Sequence, residues 1–103
     1  MKISALQFAP RLLDKDYNLQ KIKQLLYKLK TDLIVLPELC NSGYVFANKE
    51  EVFSVAEEAG KGETYFALSE IASCNNCNIV YGYPELDGNN LYNSCMLIMP
   101  DGR

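Results

Sequence analysis

The residue best placed for chemistry is Glu38, which follows an apolar run and a proline at positions 33–37. The run predicts a buried strand, and Pro37 would end it because proline cannot donate to the hydrogen-bond ladder. In open α/β sheets, functional residues gather beyond the carboxyl ends of the strands. Glu38 is therefore a candidate general base, a role that needs a partly buried carboxylate with a raised pKa. The alternative is an ordinary glutamate in a solvated loop.

A second candidate is Cys40, which lies two residues beyond Glu38. On an extended segment these two side chains would point the same way, so a thiol activated by Glu38 is conceivable. However, a nearby carboxylate raises a thiol pKa and so disfavours the reactive thiolate. We expect Cys40 to be a small packing residue of the core.

Cys74 and Cys77 form a Cys-x-x-Cys pair, a spacing found in thiol-redox and zinc sites. A redox pair of the thioredoxin type opens a helix, whereas here a helix is predicted before the pair and a strand after it. A zinc site would need two further ligands, but Cys40 and Cys95 are isolated and the sequence has no histidine. The glycines form no phosphate-binding pattern. We therefore expect loop cysteines, no metal and no cofactor.

The composition is that of an ordinary globular domain, with 103 residues, of which 49% are hydrophobic and 22% charged. The net charge of −3 and the lack of a lysine or arginine cluster argue against nucleic acid or an anionic membrane surface as a partner. No apolar run approaches the ~20 residues of a membrane span, and the N-terminus lacks the apolar core of a signal peptide. We expect a cytoplasmic protein with reduced cysteines.

The first half of the chain alternates strands with helices. Residues 2–8 predict a strand, residues 17–30 an amphipathic helix capped by Asp16, and residues 33–36 a second strand parallel to the first. Asn48 and Glu51 have the spacing of a capping box that opens a short helix over 50–57.

The second half predicts one more helix and a hairpin. The helix covers 63–74, with a buried side made of Phe66, Ala67, Ile71 and Ala72. Strands follow at 78–83, ending at Pro84, and at 91–99, joined by a turn-forming segment at 87–90. The order β-α-β-α-β-β predicts an α/β domain with a mixed sheet.

The sequence ends in Pro100-Asp101-Gly102-Arg103, a combination of residues that is typical of a turn. A turn reverses the chain into another helix or strand, so we expect a further element after it. The last strand would then be left at an open edge, which natural proteins normally cover or pair. We expect a fragment, or one half of a fold that another polypeptide completes.

Several dispersed motifs are characteristic of one family when they are taken together. The first is Leu36-Pro37-Glu38-Leu39 followed by Ser42-Gly43-Tyr44, after a β-α-β opening with Gln7 near the end of the first strand. The others, in order, are Ile79-Val80-Tyr81-Gly82, Glu85, Asp87-Gly88, Leu91-Tyr92-Asn93-Ser94 and Pro100-Asp101-Gly102. With these motifs in this order, the chain resembles the first part of a domain of the nitrilase superfamily of carbon–nitrogen hydrolases.

The resemblance implies a fold and a site. The fold is a four-layer α-β-β-α sandwich, of which residues 1–103 would be the N-terminal portion of a single domain, truncated at the C-terminus. The site is a Glu-Lys-Cys triad in which Glu38 matches the general base. The family's lysine follows the Pro-Asp-Gly turn and its cysteine comes later in a Cys-Tyr-Asp or Cys-Phe-Asp context, so both would fall beyond Arg103. None of the four cysteines present matches that context.

We therefore expect the N-terminal part of a hydrolase that is active only when it is joined to the missing segment. The partners that the resemblance implies are a small amide, carbamoyl or nitrile substrate. The open edge also favours a homo-oligomer or a complementing C-terminal segment. One alternative is a non-catalytic fragment or binding subunit that keeps the fold, and another, less favoured, is a Cys-x-x-Cys thiol-redox protein.

Overall fold

The computed structural model describes residues 1–101, and the predicted turn at 100–103 therefore lies partly outside the described residues. Within them, strands and helices follow the order β1 (Ile3–Ala5), α1 (Lys15–Leu26), β2 (Leu33–Val35), α2 (Lys49–Val55), α3 (Glu63–Asn75), β3 (Asn78–Asp87) and β4 (Asn90–Ile98). This order, β-α-β-α-α-β-β, is the predicted β-α-β-α-β-β pattern with the predicted short helix counted as an element of its own. None of the described helices is long and apolar enough to span a membrane.

The four strands form one mixed sheet in the order β1-β2-β3-β4. β1, β2 and β3 are parallel, and β4 runs antiparallel to β3. The parallel pairs are joined through helices and the antiparallel pair through a hairpin, as parallel and antiparallel connections require. The sheet confirms the predicted fold class.

The apolar core lies on one face of the sheet, under α1 and α3. Its members are buried side chains from both helices and from β2, β3 and β4, among them Ile22, Leu26, Ile34, Leu68, Ala72, Ile79, Tyr81 and Ile98. Side chains of the opposite face include Val35 and Leu97, which share one row across the sheet and are both exposed. The described residues therefore form one helical layer and one sheet layer, with the second sheet face uncovered.

Helix α1 begins two residues earlier than the sequence indicates. Its N-cap is Asp14, whose carboxylate accepts a hydrogen bond from the Tyr17 N–H at 3.1 Å. The prediction of Asp16 as the cap was wrong: Asp16 lies in the first turn, where its charge suits the helix dipole. At the other end the helix stops at Leu26 rather than near residue 30, and Lys28 takes a positive φ of 55°.

The predicted cap of α2 is confirmed. The Asn48 side chain accepts a hydrogen bond from the Glu51 N–H at 3.0 Å. The Glu51 carboxylate in turn accepts from the Ala47 N–H at 2.7 Å, one residue before the cap. Two N–H groups are thereby satisfied at the exposed start of this short helix.

Helix α3 buries Ala72 as predicted, but the rest of its buried stripe differs from the one that its apolar residues suggest. Its buried residues are Thr64, Leu68 and Ala72, at spacings of four, while Phe66 is 61% exposed. The prediction that Phe66 is buried was therefore wrong. The cause is a pair of hydrogen bonds. The hydroxyl and the N–H of Thr64 both donate to the buried carboxylate of Glu57, and these bonds turn the Thr64 side of the helix inward.

The β3–β4 hairpin confirms the predicted turn, but the prediction that the first of its strands ends at residue 83 was wrong, since β3 continues to Asp87. Asp87 pairs with Asn90, and Gly88 takes the positive φ of 61° that the tight turn requires. Pro84 does not interrupt the strand, because its nitrogen faces away from β4. The hydrogen bonds between β3 and β4 therefore lose no N–H donor at this position. The backbone on that side bonds instead to Glu57, whose N–H donates to the Pro84 carbonyl at 2.9 Å.

The assignment of the buried stripe of α3 is tested by a matched pair of variants. Leu68→Ala should lower the free energy of unfolding by about 2–5 kcal/mol, because it removes a side chain that has no exposure. Phe66→Ala should change it by no more than about 0.5 kcal/mol, as at other surface sites. Denaturant unfolding measures both, and the reverse ranking would show that α3 is rotated from the orientation described.

Candidate active site

Glu38 lies just beyond the carboxyl end of β2, where the sequence predicts it. The chain continues along β3 after the strand ends: the Leu36 N–H donates to the Val80 carbonyl at 2.8 Å, and the Cys40 N–H donates to the Gly82 carbonyl at 3.1 Å. Glu38 is the residue midway between these two hydrogen bonds. Its backbone is therefore held against β3 on both sides.

The backbone at Glu38 packs directly on Gly82. A Cβ atom at position 82 would come within 2.9 Å of the Glu38 Cα and the Leu39 nitrogen, which is closer than Cβ atoms approach backbone atoms in real structures. Any side chain at Gly82 would push the Glu38 segment away from β3. Glycine at this position is thus a requirement of the close approach.

A tight turn follows Glu38 over residues 39–43. The Leu39 carbonyl accepts hydrogen bonds from the Ser42 N–H at 3.2 Å and the Gly43 N–H at 3.0 Å. Leu39 itself has a φ of +47°, in the left-handed region that leucine rarely adopts. Such strain is retained only where the surrounding structure enforces it, and it is common at functional sites.

The turn is held by Asn18 of α1 and by the segment that precedes this helix. Asn18, which is fully buried, donates from Nδ2 to the carbonyls of Arg11 at 2.8 Å and of Asn41 at 2.9 Å. The Leu13 N–H donates to the Ser42 carbonyl at 2.9 Å. Backbone groups that would otherwise be buried without partners are satisfied in this way.

Two open depressions flank Glu38. One, of about 300 Å³, is lined by Leu36, Gly82 and residues 93–95. The other, of about 660 Å³, includes Gln7 and Tyr44. The structure therefore brings residues of several of the sequence motifs together around Glu38, namely Gln7, Tyr44, Gly82 and Ser94.

The Glu38 side chain is exposed. Among residues 1–101, no other side chain forms an ion pair with it, nor does any group of His, Cys, Asp and Glu side chains form a possible metal site. The partial burial that a general base needs is thus not provided by the described residues.

Cys40 lies in the core and has no exposure. Burial raises the pKa of its thiol to about 12, and the nearby charge of Glu57 adds to the rise. At neutral pH it is a protonated packing residue, which confirms the expectation.

The Cys-x-x-Cys pair lies far from Glu38, at the opposite end of the sheet. Cys74 is exposed in the last turn of α3, and Cys77 is buried immediately before β3. The predicted placement, with a helix before the pair and a strand after it, is confirmed. Burial raises the pKa of the Cys77 thiol.

Sequence reasoning missed the groups that fix the turn from inside. The Asn41 side chain donates from Nδ2 to Glu57 Oε2 at 3.2 Å and to Thr64 Oγ1 at 3.0 Å. Neither Glu57 nor Thr64 belongs to a motif that predicts burial. No spacing rule singles out Glu57, because its partners come from three separate parts of the chain.

The cysteine environments predict an order of alkylation. Treatment of the folded protein with iodoacetamide at about pH 8 should modify Cys74, which is exposed in the last turn of α3, and spare Cys40 and Cys77, because alkylation needs an accessible thiolate. Peptide mapping by mass spectrometry gives the modified sites. All four should react in denaturant, and early modification of Cys40 in the folded protein would contradict its assignment to packing.

Comparison with known proteins identifies relatives along the whole chain. The model of the carbon-nitrogen hydrolase family matches residues 2–103. A nitrilase of Pyrococcus abyssi is 38% identical over 105 residues, which cover 99% of this chain and 40% of that protein. A protein N-terminal amidase of Schizosaccharomyces pombe is 32% identical over 112 residues, which cover 97% of this chain and 39% of that protein. The chain thus spans about two fifths of the length of these relatives.

Solved structures show the same fold. The crystal structure of an N-terminal amidase superposes with a TM-score of 0.91 at 25% identity, over 99% of this chain and 26% of that one. A CN-hydrolase superfamily protein from Xanthomonas campestris superposes with a TM-score of 0.87 at 26% identity, over 100% of this chain and 38% of that one. The family match and the shared fold together show that this chain belongs to the carbon-nitrogen hydrolase family.

Proposed function

We propose that this chain is the N-terminal part of an enzyme that hydrolyses a non-peptide carbon–nitrogen bond in a small amide, carbamoyl or nitrile compound, with Glu38 as the general base. The observation that carries the proposal is the placement of Glu38 at a strand end, directly before a tight turn and between two depressions. The relatives named as a nitrilase and an amidase support the nitrile and amide members of this range.

The proposed chemistry is nucleophilic catalysis by a thiol. Glu38 accepts the proton of a cysteine thiol, and the thiolate sulfur attacks the carbon of the carbon–nitrogen bond. A lysine stabilises the negative charge that develops. Glu38 passes this proton to the nitrogen, which leaves as ammonia or an amine, and for a nitrile a water molecule first adds to the thioimidate. The regenerated Glu38 carboxylate then deprotonates the water that releases the acid from the acyl-enzyme and restores the thiol. The resemblance assigns the lysine and the cysteine to positions beyond Arg103.

The geometry around Glu38 supports a base of this kind. A general base must lie within hydrogen-bond reach of the proton that it accepts, and such assistance contributes about 10²–10⁴-fold to a rate. The hydrogen bonds to β3 and the contact with Gly82 fix the backbone from which the carboxylate extends. The depressions on either side leave room for a substrate and for a second catalytic group.

We also propose that residues 1–103 form the N-terminal portion of a single domain. The open face of the sheet, with exposed Val35 and Leu97, is apolar and adjoins the strand end that carries Glu38. A further layer on this face would bury these side chains and withdraw Glu38 from water, as its proposed role requires. That layer could come from the same polypeptide or from a complementing segment.

Two further proposals concern assembly and location. We propose that the protein works as a homo-oligomer or with such a complementing segment, because the uncovered apolar face is the kind of surface that proteins cover. We propose a cytoplasmic location, which the four free cysteines support. A non-catalytic binding subunit remains the second candidate function, and the observation that favours it is the exposure of Glu38.

The test of the proposed function is Glu38→Gln in the full-length protein that the gene encodes. The amide cannot accept the thiol proton, so turnover should fall about 10²-fold or more on whichever amide, carbamoyl or nitrile compound the wild type hydrolyses. Ammonia release measures the rate, and thermal melting verifies folding. Glu50→Gln is the matched control, since Glu50 is exposed on α2, and it should leave turnover unchanged.

Two results would overturn the proposal. Near-normal turnover in Glu38→Gln would remove Glu38 as the base. No hydrolysis by the wild type of any member of the three substrate classes would favour the non-catalytic binding subunit.

A further inference from the structure

Glu57 is a buried carboxylate that the proposed mechanism does not use. It is 7% exposed, and its side chain receives four close contacts from donors. The Thr64 N–H donates to Oε1 at 3.0 Å. On Oε2, the Thr64 hydroxyl donates at 2.6 Å, Asn41 Nδ2 donates at 3.2 Å and Lys15 Nζ forms an ion pair at 3.0 Å. A charge withdrawn from water is tolerated only with such a complete set of partners.

The backbone of Glu57 is fixed to the same strand that supports Glu38. The Glu57 N–H donates to the Pro84 carbonyl, and the Glu57 carbonyl accepts from the Leu86 N–H, both at 2.9 Å. Gly82, on which the Glu38 backbone packs, is two residues before Pro84 on β3. Both Glu57 and Glu38 are therefore placed relative to a single rigid element.

The space for the carboxylate is made by Gly62 and by the start of α3. A Cβ atom at position 62 would overlap the Glu57 side chain, so glycine is needed there. The N–H of Thr64, in the first turn of α3, has no partner within the helix and bonds to the carboxylate instead. The positive end of the helix dipole adds to the stabilisation.

We propose that Glu57 is a positioning residue for Glu38. Its carboxylate and the Thr64 hydroxyl hold the Asn41 side chain, and Asn41 lies inside the turn that begins directly after Glu38. The turn is thereby held from the interior as well as by β3, and the general base stays where the proton must be accepted. This inference rests on the proposed role of Glu38.

The negative charge is essential to the arrangement. Asn41 Nδ2, the Thr64 hydroxyl and Lys15 Nζ all donate to one oxygen, which must therefore be an acceptor only. In Glu57→Gln, an amide NH₂ or a neutral carbonyl would face these donors, and Lys15, whose side chain is 16% exposed, would lose its main counter-charge. Asn41 would then be free to turn away and release the strained backbone at Leu39.

The test compares two ways of breaking the contact in the full-length protein. Glu57→Gln removes the charge, and Thr64→Val removes the hydroxyl at nearly constant volume. Each should lower kcat by about 10²-fold per competent site, the scale of a misplacement of about 1 Å, with a smaller change in KM. Competent sites are counted from the burst of released amine or ammonia, so that unfolded molecules do not contribute.

Two further variants serve as controls. Thr64→Ser keeps the hydroxyl and should restore kcat to near the wild-type value. Glu58→Gln changes the neighbouring carboxylate, which is exposed and pairs with Lys61 on the surface, and should have no effect on kcat.

A purely structural role for Glu57 gives a different result. The melting temperature and the number of competent sites would fall in Glu57→Gln and Thr64→Val, while kcat per competent site stayed at the wild-type value, and this would overturn the inference. If Glu57→Gln fails to fold, the kcat values per competent site of Thr64→Val and Thr64→Ser still distinguish a positioning role from a purely structural one. Loss of turnover in Glu38→Gln together with normal kcat in Thr64→Val would reject the positioning role alone.

Discussion

The close approach between the Glu38 backbone and Gly82 is the constraint on which the candidate site depends. β2 is only three residues long, yet the chain stays against β3 for several residues after β2 ends. Only a glycine at position 82 allows this, since a Cβ atom there would collide with two backbone atoms of the Glu38 segment. The carboxylate is thus carried by backbone that is supported like a strand, although it lies in a loop.

Two kinds of interaction stabilise the strands and the turn around Glu38. The apolar core between the sheet and the helices α1 and α3 fixes the strands. The turn after Glu38 is fixed by a buried polar cluster that contains Asn18, Asn41, Glu57 and Thr64. Polar groups in a core are tolerated when they are hydrogen-bonded, and they restrict the geometry more than apolar contacts do. The strained φ of Leu39 is consistent with a segment that its surroundings dictate.

The sequence predicts well what depends on local pattern. The element order, the cap at Asn48 and the hairpin turn at Gly88 are all confirmed, because each follows from periodicity or from the conformational preference of one residue. The position of Glu38 also follows, since Pro37 marks the end of an apolar run. Its role as a base stays a prediction, because the catalytic partners that would test it are not among the described residues.

What the sequence could not predict depends on contacts between distant segments. Phe66 is more apolar than Thr64, so pattern alone buries the wrong residue of α3. A proline is expected to end a strand, but the nitrogen of Pro84 faces away from β4, on the side where its carbonyl accepts from Glu57, so β3 continues. The buried carboxylate of Glu57 has partners on α1, on α3 and in the turn, and no local signal encodes such an arrangement.

Amide hydrogen exchange in the full-length protein measures most directly whether the turn that carries Glu38 is rigid. The Cys40 N–H, bonded to Gly82, and the Thr64 N–H, bonded to Glu57, are the two reporters. If the turn is held from both sides, both amides should exchange with the same opening free energy as the amides of β3. Exchange of either as fast as the hairpin tip at Asn89 would show that the turn opens independently, and would contradict a fixed position for Glu38.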